Sequence, residues 1–196
     1  MEKSISISER LSARTQVIQM LEKSKVLHSQ MEEIIELIWT RLCEGNGVYT
    51  CGNGGSAAEA QHLAAELSGR FYKGRRALKA DFLSDNTAAL TAIANDYGYN
   101  QVFSRMLEAL GKQGDVLWSF STSGSSVNIL MALEYANKHG LYTIGFGSQK
   151  PNPMKDLCSC FVEVPSTDTA IIQEMHLIMG HIICEKIENL LVSSEQ

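Results

Sequence analysis

DVLWSFSTSGSS, residues 115–126, decides the fold, because an apolar strand runs into a hydroxyl-rich turn and then into a helix. The run 115–120 has the length of a buried strand, and apolar spacing predicts a helix from about Val127 to His139. The same alternation recurs, with strands predicted at 47–51, 79–83, 141–146 and 160–164 and helices at 56–68, 87–95, 101–110 and 169–191. This pattern predicts an α/β fold with a doubly wound, mostly parallel five-stranded sheet flanked by helices.

A helical pair is predicted ahead of the first strand. Residues 8–44 carry apolar side chains at three- and four-residue steps, with a weak break near Ser24. We therefore expect one domain of residues 1–196, in which helices at 1–44 precede an α/β core at 45–196. We expect the apolar face of the pair to contact a neighbouring subunit, and packing on its own domain is the simpler alternative.

The composition excludes several classes of function. A net charge of −5 without a basic cluster argues against nucleic acid as a partner. No apolar run approaches the length of a membrane span, which needs about 18 residues, and the N-terminus has no signal-peptide pattern. Five cysteines without CxxC spacing indicate reduced thiols. The sequence therefore predicts a soluble, cytoplasmic protein.

Two strand-to-helix turns are rich in small residues and are candidate binding sites. The stronger is STSGSS, 121–126, in which hydroxyls, a glycine and the following helix N-terminus can together bind an anion. It has no lysine, so it is not a nucleotide-binding P-loop, and a phosphorylated sugar fits better. The simpler interpretation is a helix N-cap, but one cap needs one hydroxyl.

The second turn is CGNGGS, 51–56. It does not match the dinucleotide-binding pattern GxGxxG. Its glycines and Asn53 would let a sugar hydroxyl or a phosphate approach the backbone. Taken alone, this signal is weak.

Two helices carry polar residues suited to chemistry. His62 and Glu66 are four residues apart, which places them on one helix face as an acid–base couple or a pair of metal ligands. Gln173, His176 and His181 interrupt an apolar last helix. Ordinary alternatives are a surface His–Glu pair and hydrogen-bonded core residues.

Four separated motifs together resemble the phosphoheptose isomerases, which are SIS-domain proteins. The motifs are CGNGGSAAEAQHLAAELSGRF (51–71), LTAIANDYGYNQVFSR (90–105), GDVLWSFSTSGSS (114–126) and TAIIQEMHLIMGH (169–181). The resemblance spans about residues 45–188. It implies an SIS-type fold and conversion of sedoheptulose 7-phosphate to D-glycero-D-manno-heptose 7-phosphate. It also implies a homotetramer with active sites shared between subunits.

The resemblance assigns roles residue by residue. It implies that Zn²⁺ is bound by His62, Glu66, Gln173 and His181, and that Glu66 and His181 are the catalytic acid–base pair. The substrate would contact Asn53, Gly54, Gly55, Ser56, Glu66, Asn95, Asp96, Ser121, Thr122, Ser123, Ser126 and Gln173. A carboxylate that ligates zinc is a weaker base, so Glu66 is expected to ligate in the resting enzyme and to be released during turnover.

The spacing of two implied ligands constrains the geometry. Gln173 and His181 are eight residues apart, which is about 12 Å along a straight helix. Metal–ligand bonds of about 2 Å make it hard for both side chains to reach one ion from a single straight helix. Either the helix bends, or the two ligands of one ion come from different chains.

Two other functions compete with the isomerase. One is a non-catalytic SIS protein that binds a sugar phosphate or the replication initiator, and there we would expect Glu66 or His181 to be replaced. The other is an isomerase that acts on a hexose or pentose phosphate. Ser125 and Ala170 depart from residues that some relatives carry, which leaves substrate preference open.

Overall fold

The computed structural model describes residues 6–195, and it begins with two helices, α1 (Ile7–Lys23) and α2 (Lys25–Cys43). A capping box between Ser6 and Glu9 starts α1. Ser24 ends α1, and its hydroxyl accepts the Leu27 N–H at 3.2 Å to start α2. The predicted break near Ser24 is therefore confirmed, because one serine closes the first helix and caps the second.

Five strands and five further helices follow in alternation. They are β1 (Val48–Gly52), α3 (Gly55–Ser68), β2 (Ala80–Phe82), α4 (Thr87–Tyr97), α5 (Val102–Leu110), β3 (Val116–Phe120), α6 (Val127–Lys138), β4 (Tyr142–Ser148), β5 (Cys160–Val164) and α7 (Thr169–Ser194). Short 3₁₀ helices lie at Tyr99–Gln101 and Pro153–Leu157. The predicted elements are all present, although β2 is shorter than predicted and β4 extends to Ser148.

The sheet is wholly parallel, with the strand order β2-β1-β3-β4-β5. The prediction of a mostly parallel sheet is thus confirmed and sharpened. The chain moves outward from β1 to β2 and then crosses to β3 on the other side of β1. The strand order therefore reverses between β1 and β3, where open α/β sheets bind ligands beyond the strand ends.

The helices cover both faces of the sheet. Alternate residues of β3 enter different cores, with Trp118 among α1, α2, α3 and α7, and Leu117 among α4, α5 and α6. Every residue of β1 and β3 is buried, as expected for central strands of a doubly wound sheet. Between residues 6 and 195, no helix has both the length and the apolar character needed to cross a bilayer.

Candidate active site

The two small-residue turns lie side by side at the point where the strand order reverses. The turn after β1 begins at Asn53, and the turn after β3 begins at Ser121. Because β1 and β3 pair in parallel, with Gly52 opposite Phe120, both turns leave the same edge of the sheet. They line one cavity of about 120 Å³ together with a residue of α7; its lining residues are Asn53, Ser56, Phe120, Ser121, Thr122, Ser123, Ser126 and Gln173.

The turn at 121–126 is held in a shape that brings four of its five hydroxyl residues to the cavity. Ser121 is buried, and its Oγ accepts the Gly124 N–H at 3.0 Å. Gly124 has φ +62°, and a side chain there would collide with Asn152. Ser123 accepts bonds from Ser125, which does not line the cavity. The glycine therefore allows the tight turn that gathers the remaining hydroxyls around the cavity.

The geometry of Ser126 favours the anion-binding interpretation of this turn over the interpretation as a helix N-cap. It stands at the N-cap of α6, yet its side chain makes no capping hydrogen bond. Its Oγ lies 3.5 Å from Ser121 Oγ at the cavity wall. The hydroxyl and the first N–H groups of α6 are therefore open to an anion, which the positive end of the helix dipole also favours.

The second turn adds another helix N-terminus to the cavity. α3 begins at Gly55, and its N-cap Gly54 has φ +58° and no side-chain cap. A Cβ on Gly55 would meet the amide of Gln173, whose Nε2 lies 3.5 Å from Ser56 Oγ. The glycines thus bring Gln173 of α7 against the start of α3.

Asn53 belongs to a polar network that the sequence did not reveal. Its amide exchanges two hydrogen bonds of 2.9 Å with the buried Asn128 of α6, and its Oδ1 accepts the Tyr99 hydroxyl at 3.0 Å. Asn95 and Asp96 are exposed near the end of α4, shortly before Tyr99, and they bond each other at 2.8 Å. Sequence reasoning did not identify Asn128 or Tyr99 as site residues, because each is a single polar residue without a recognisable pattern. Tyr99 does lie within the second of the four motifs (90–105), whereas Asn128 lies in none of them.

A second polar group joins α3 to α7. His62 Nε2 lies 2.8 Å from His181 Nε2 and 3.2 Å from Glu66 Oε1. One potential ligand atom from each of His62, Glu66 and His181 lies within 4.8 Å of the others. The i,i+4 pair predicted on α3 therefore meets a residue of the last helix, and the side chain of His62 remains 48% exposed.

Close packing between α3 and α7 brings the histidines together. Gly180 faces the side chain of Leu63, which is fully buried, and a Cβ at Gly180 would collide with it. The neighbours of these two residues are His181 and His62. The missing side chain at Gly180 therefore lets the helices approach closely enough for the two imidazoles to meet.

The surroundings of His181 favour its neutral form. Partial burial lowers the pKa of His181, and the positive charge that His62 can carry lowers it further. Glu66 opposes both effects by stabilising the imidazolium. A neutral imidazole beside a carboxylate can accept and return protons.

The same three residues fit a zinc ion. Two imidazole nitrogens and a carboxylate oxygen within 4.8 Å of one another form a donor set that Zn²⁺ prefers. Gln173 lies elsewhere in the chain, beside Ser56 at the hydroxyl-lined cavity. α7 is one continuous helix from Thr169 to Ser194, so Gln173 and His181 of one chain are separated by about two turns.

Comparison with known proteins identifies close relatives over nearly the whole chain. The model of the SIS domain family matches residues 14–148. The phosphoheptose isomerase of Nitratiruptor sp. is 48% identical over 177 residues, which is 87% of this chain and 95% of the relative. The phosphoheptose isomerase of Aliarcobacter butzleri is 44% identical over 187 residues, covering 95% of this chain and 97% of that protein.

Solved structures agree with the sequence comparison. A phosphoheptose isomerase from Neisseria gonorrhoeae superimposes with a TM-score of 0.85 at 36% identity, covering 94% of this chain and 100% of that one. A phosphoheptose isomerase from Francisella tularensis gives a TM-score of 0.87 at 30% identity, covering 95% and 100% of the two chains.

Proposed function

The chain belongs to the phosphoheptose isomerase family of SIS-domain proteins, and from that membership we propose that it interconverts sedoheptulose 7-phosphate and D-glycero-D-manno-heptose 7-phosphate. The product would serve as a heptose precursor. The observation that carries the proposal is the meeting of Glu66 and His181 in one group with His62. A non-catalytic relative would not need this acid–base pair. We place the reaction in the cytoplasm, where the five free cysteines stay reduced.

The hydroxyl-lined cavity is the proposed phosphate anchor. Its serines and Thr122 offer donors, the first N–H groups of α6 add to them, and the N-termini of α3 and α6 contribute favourable dipoles. Sugar contacts are proposed for Asn53, Gly54, Gly55, Asn95 and Asp96, of which Asn53 lines the cavity. Binding energy from the phosphate, which does not react, would hold the reacting carbons in place.

The proton transfers are assigned to Glu66 and His181. Ketose-to-aldose conversion removes a proton from C1, forms an enediol and returns a proton to C2. Glu66 is the proposed base for the carbon-bound proton, because it is the carboxylate that meets His181 in this group. His181, held neutral, moves protons between O1 and O2.

Zinc is the proposed metal of the His62, Glu66 and His181 group. When bound there, it would supply Lewis-acid stabilisation of the negative charge that develops on the sugar oxygens. The half-exposed side chain of His62 leaves this group open to a further ligand. Gln173 from a second copy of the chain is the proposed fourth ligand, because Gln173 of the same chain lies about two turns away along α7.

We propose a homotetramer with shared sites, which would bring Gln173 of one chain to the His181 group of another. An apolar groove of about 390 Å³ runs between α1, α2 and α7. Ile178 and Ile182, on either side of His181, are 40% and 42% exposed in the single chain. Apolar residues exposed beside an incomplete site are typical of a subunit interface. We therefore propose one domain of residues 1–196 whose helices at 1–44 contribute oligomer contacts.

The decisive experiment is to incubate the purified protein with sedoheptulose 7-phosphate and to follow the aldose by NMR. The reaction is run with added zinc and with a chelator. Aldose that the chelator suppresses supports both the reaction and the metal, whereas aldose formed equally with chelator contradicts the metal assignment. No aldose under either condition, with the sugar phosphate still bound, would favour a non-catalytic binding protein.

A further inference from the structure

A buried carboxylate holds the loop that follows α3. Glu188, on α7, is almost fully buried. Its two oxygens accept the backbone N–H groups of Phe71 at 2.8 Å, Tyr72 at 2.7 Å and Lys73 at 2.9 Å. Three successive N–H groups on one carboxylate fix the path of the loop against α7.

The partner of this carboxylate binds the end of α3. Arg75 Nε lies 3.3 Å from Glu188 Oε1, and only 1% of the arginine side chain is exposed. Its terminal nitrogens donate to the carbonyls of Glu66 at 2.7 Å and of Leu67 and Gly69 at 2.9 Å. The last carbonyls of a helix have no hydrogen-bond donors within the helix, and here the Arg75 guanidinium donates to them.

The pair therefore connects the two helices that carry the acid and the base. Arg75 binds the backbone of Glu66 itself, and Glu188 lies on α7 about two turns beyond His181. The loop also places the ring of Phe71 with its centroid 5.5 Å from that of His181. One buried ion pair thus reaches the Glu66 backbone, the His181 helix and the ring beside His181.

We propose that Arg75 and Glu188 are positioning residues that set the separation between Glu66 and His181 for proton transfer. The inference rests on the proposed isomerase function. It differs from a purely structural role, because it requires kcat to fall in molecules that remain folded. The cavity proposed to bind phosphate lies at the opposite end of α3, so substrate affinity should change little.

The chain contains a matched control pair. Arg76 and Glu195 join the same loop to the same helix at 3.2 Å, but their side chains are 55% and 42% exposed. Arg76→Ala therefore removes an ion pair of the same type without removing a contact to the Glu66 backbone or to Glu188.

The test compares the wild type, Glu188→Gln, Arg75→Lys and Arg76→Ala, with kinetics measured well below each melting temperature. Glu188→Gln should lower kcat by about 100-fold, the cost of misplacing reacting groups by about 1 Å, with KM within about twofold. Arg75→Lys should also lower kcat, because a single ammonium cannot bind all the carbonyls that the guanidinium reaches. Arg76→Ala should match the wild type.

A second readout does not depend on turnover. The imidazole resonances of His181, followed by NMR in ¹³C-histidine-labelled protein, should shift in Glu188→Gln and stay in place in Arg76→Ala. If the wild type forms no aldose while these shifts appear, the isomerase assignment fails, and what stands is that Glu188 sets the position of His181. If the wild type is active and these shifts do not appear, only the positioning role fails. The positioning role would be overturned if Glu188→Gln left the His181 resonances or kcat unchanged, or if it raised KM alone. It would also be overturned if neither Glu188→Gln nor Arg75→Lys folded.

Discussion

The Nε2 atoms of His62 and His181 lie 2.8 Å apart, although 119 residues separate the two histidines in the sequence. The two nitrogens cannot both carry a proton at this distance, because the hydrogens would clash. At least one of them therefore offers a lone pair to the other. Glu66 Oε1 lies 3.2 Å from the same nitrogen of His62. Two imidazoles and a carboxylate that share one point can hold either a proton or a metal ion.

The first prediction concerns metal binding. Wild-type protein should bind about one Zn²⁺ per chain, and His62→Ala should weaken that affinity by more than the roughly 10- to 100-fold typical of losing a residue that only supports a ligand. Isothermal titration calorimetry measures both values. His139→Gln, which alters an exposed histidine directly after α6, is the control and should bind zinc normally. Equal zinc affinity in the wild type and both variants would contradict the assignment of a zinc site to His62, Glu66 and His181.

The second prediction separates catalysis from binding. Glu66→Gln keeps the size of the side chain but removes the base, so kcat should fall by about 100- to 10,000-fold. The dissociation constant for sedoheptulose 7-phosphate should change little, because the proposed phosphate contacts lie in the cavity at the other end of α3. Single-turnover kinetics and calorimetry provide the two numbers. Activity near the wild-type level would show that another residue is the base.

The third prediction tests the phosphate anchor. Ser126→Ala removes a hydroxyl that does not cap α6 and makes only a long 3.5 Å contact with Ser121, so the melting temperature should change little. KM should rise by about 10- to 100-fold, as expected for losing a hydrogen bond to a charged group. Ser125→Ala is the matched control, because Ser125 belongs to the same turn and does not line the cavity. An equal change in KM for both variants would argue against a specific role for Ser126.

The fourth prediction concerns stability and pH. Burial opposes ionisation of Glu188, but its backbone donors and Arg75 outweigh that effect, so its pKa lies below the ordinary value. A carboxylate with a lowered pKa stabilises the fold above its unfolded pKa, and this contribution is lost as the pH falls through the folded pKa. Breaking a buried ion pair costs about 3–5 kcal/mol.

Glu188→Gln should therefore melt about 6–20 °C below the wild type at pH 7. The difference should narrow as the pH falls below about 4.3, the ordinary pKa of glutamate. Differential scanning calorimetry across this range provides the comparison. Glu195→Gln, in the exposed pair, should shift the melting temperature only slightly, because such pairs contribute about 0–1 kcal/mol. If the difference in melting temperature between the wild type and Glu188→Gln widened in acid, the assigned direction of the Glu188 pKa shift would be contradicted.

The fifth prediction tests whether active sites are shared. Gln173→Ala and His181→Gln should each be inactive alone. If one site combines the His181 group of one chain with Gln173 of another, mixed oligomers contain some sites in which every residue is intact. Dissociating and reassembling the two variants together should restore part of the activity. If mixing restores none, although mass spectrometry shows mixed oligomers, each site is built from one chain.

Much of the fold could be predicted because its signals are local. Apolar runs of strand length, helical spacing and glycine-rich turns identified each main helix and strand, and the weak break near Ser24 was found where the serine caps α2. The two short 3₁₀ helices were not predicted, since brief turns carry little periodicity. The sheet was expected to be mostly parallel, whereas every pairing is parallel.

The candidate site was predictable only in part. The turn at 121–126 and the pair formed by His62 and Glu66 were recognisable from residue types and spacing. Arg75, Glu188 and Asn128 were not, because a buried ion pair or amide looks in sequence like any polar residue near a helix end. Their importance depends on partners far along the chain, such as Asn53 for Asn128.

The sequence alone determined the alternation of strands and helices, the two turns and the identity of the reactive side chains, since these depend on neighbours within a few residues. Tertiary structure decided which of those side chains meet. His181 joins His62 because Gly180 lets α7 pack closely against Leu63 of α3. Gln173, on the same helix, lies instead against Ser56, because α7 is one continuous helix that separates it from His181 by about two turns. Contacts across so many residues follow from the packing of whole helices, which no local pattern specifies.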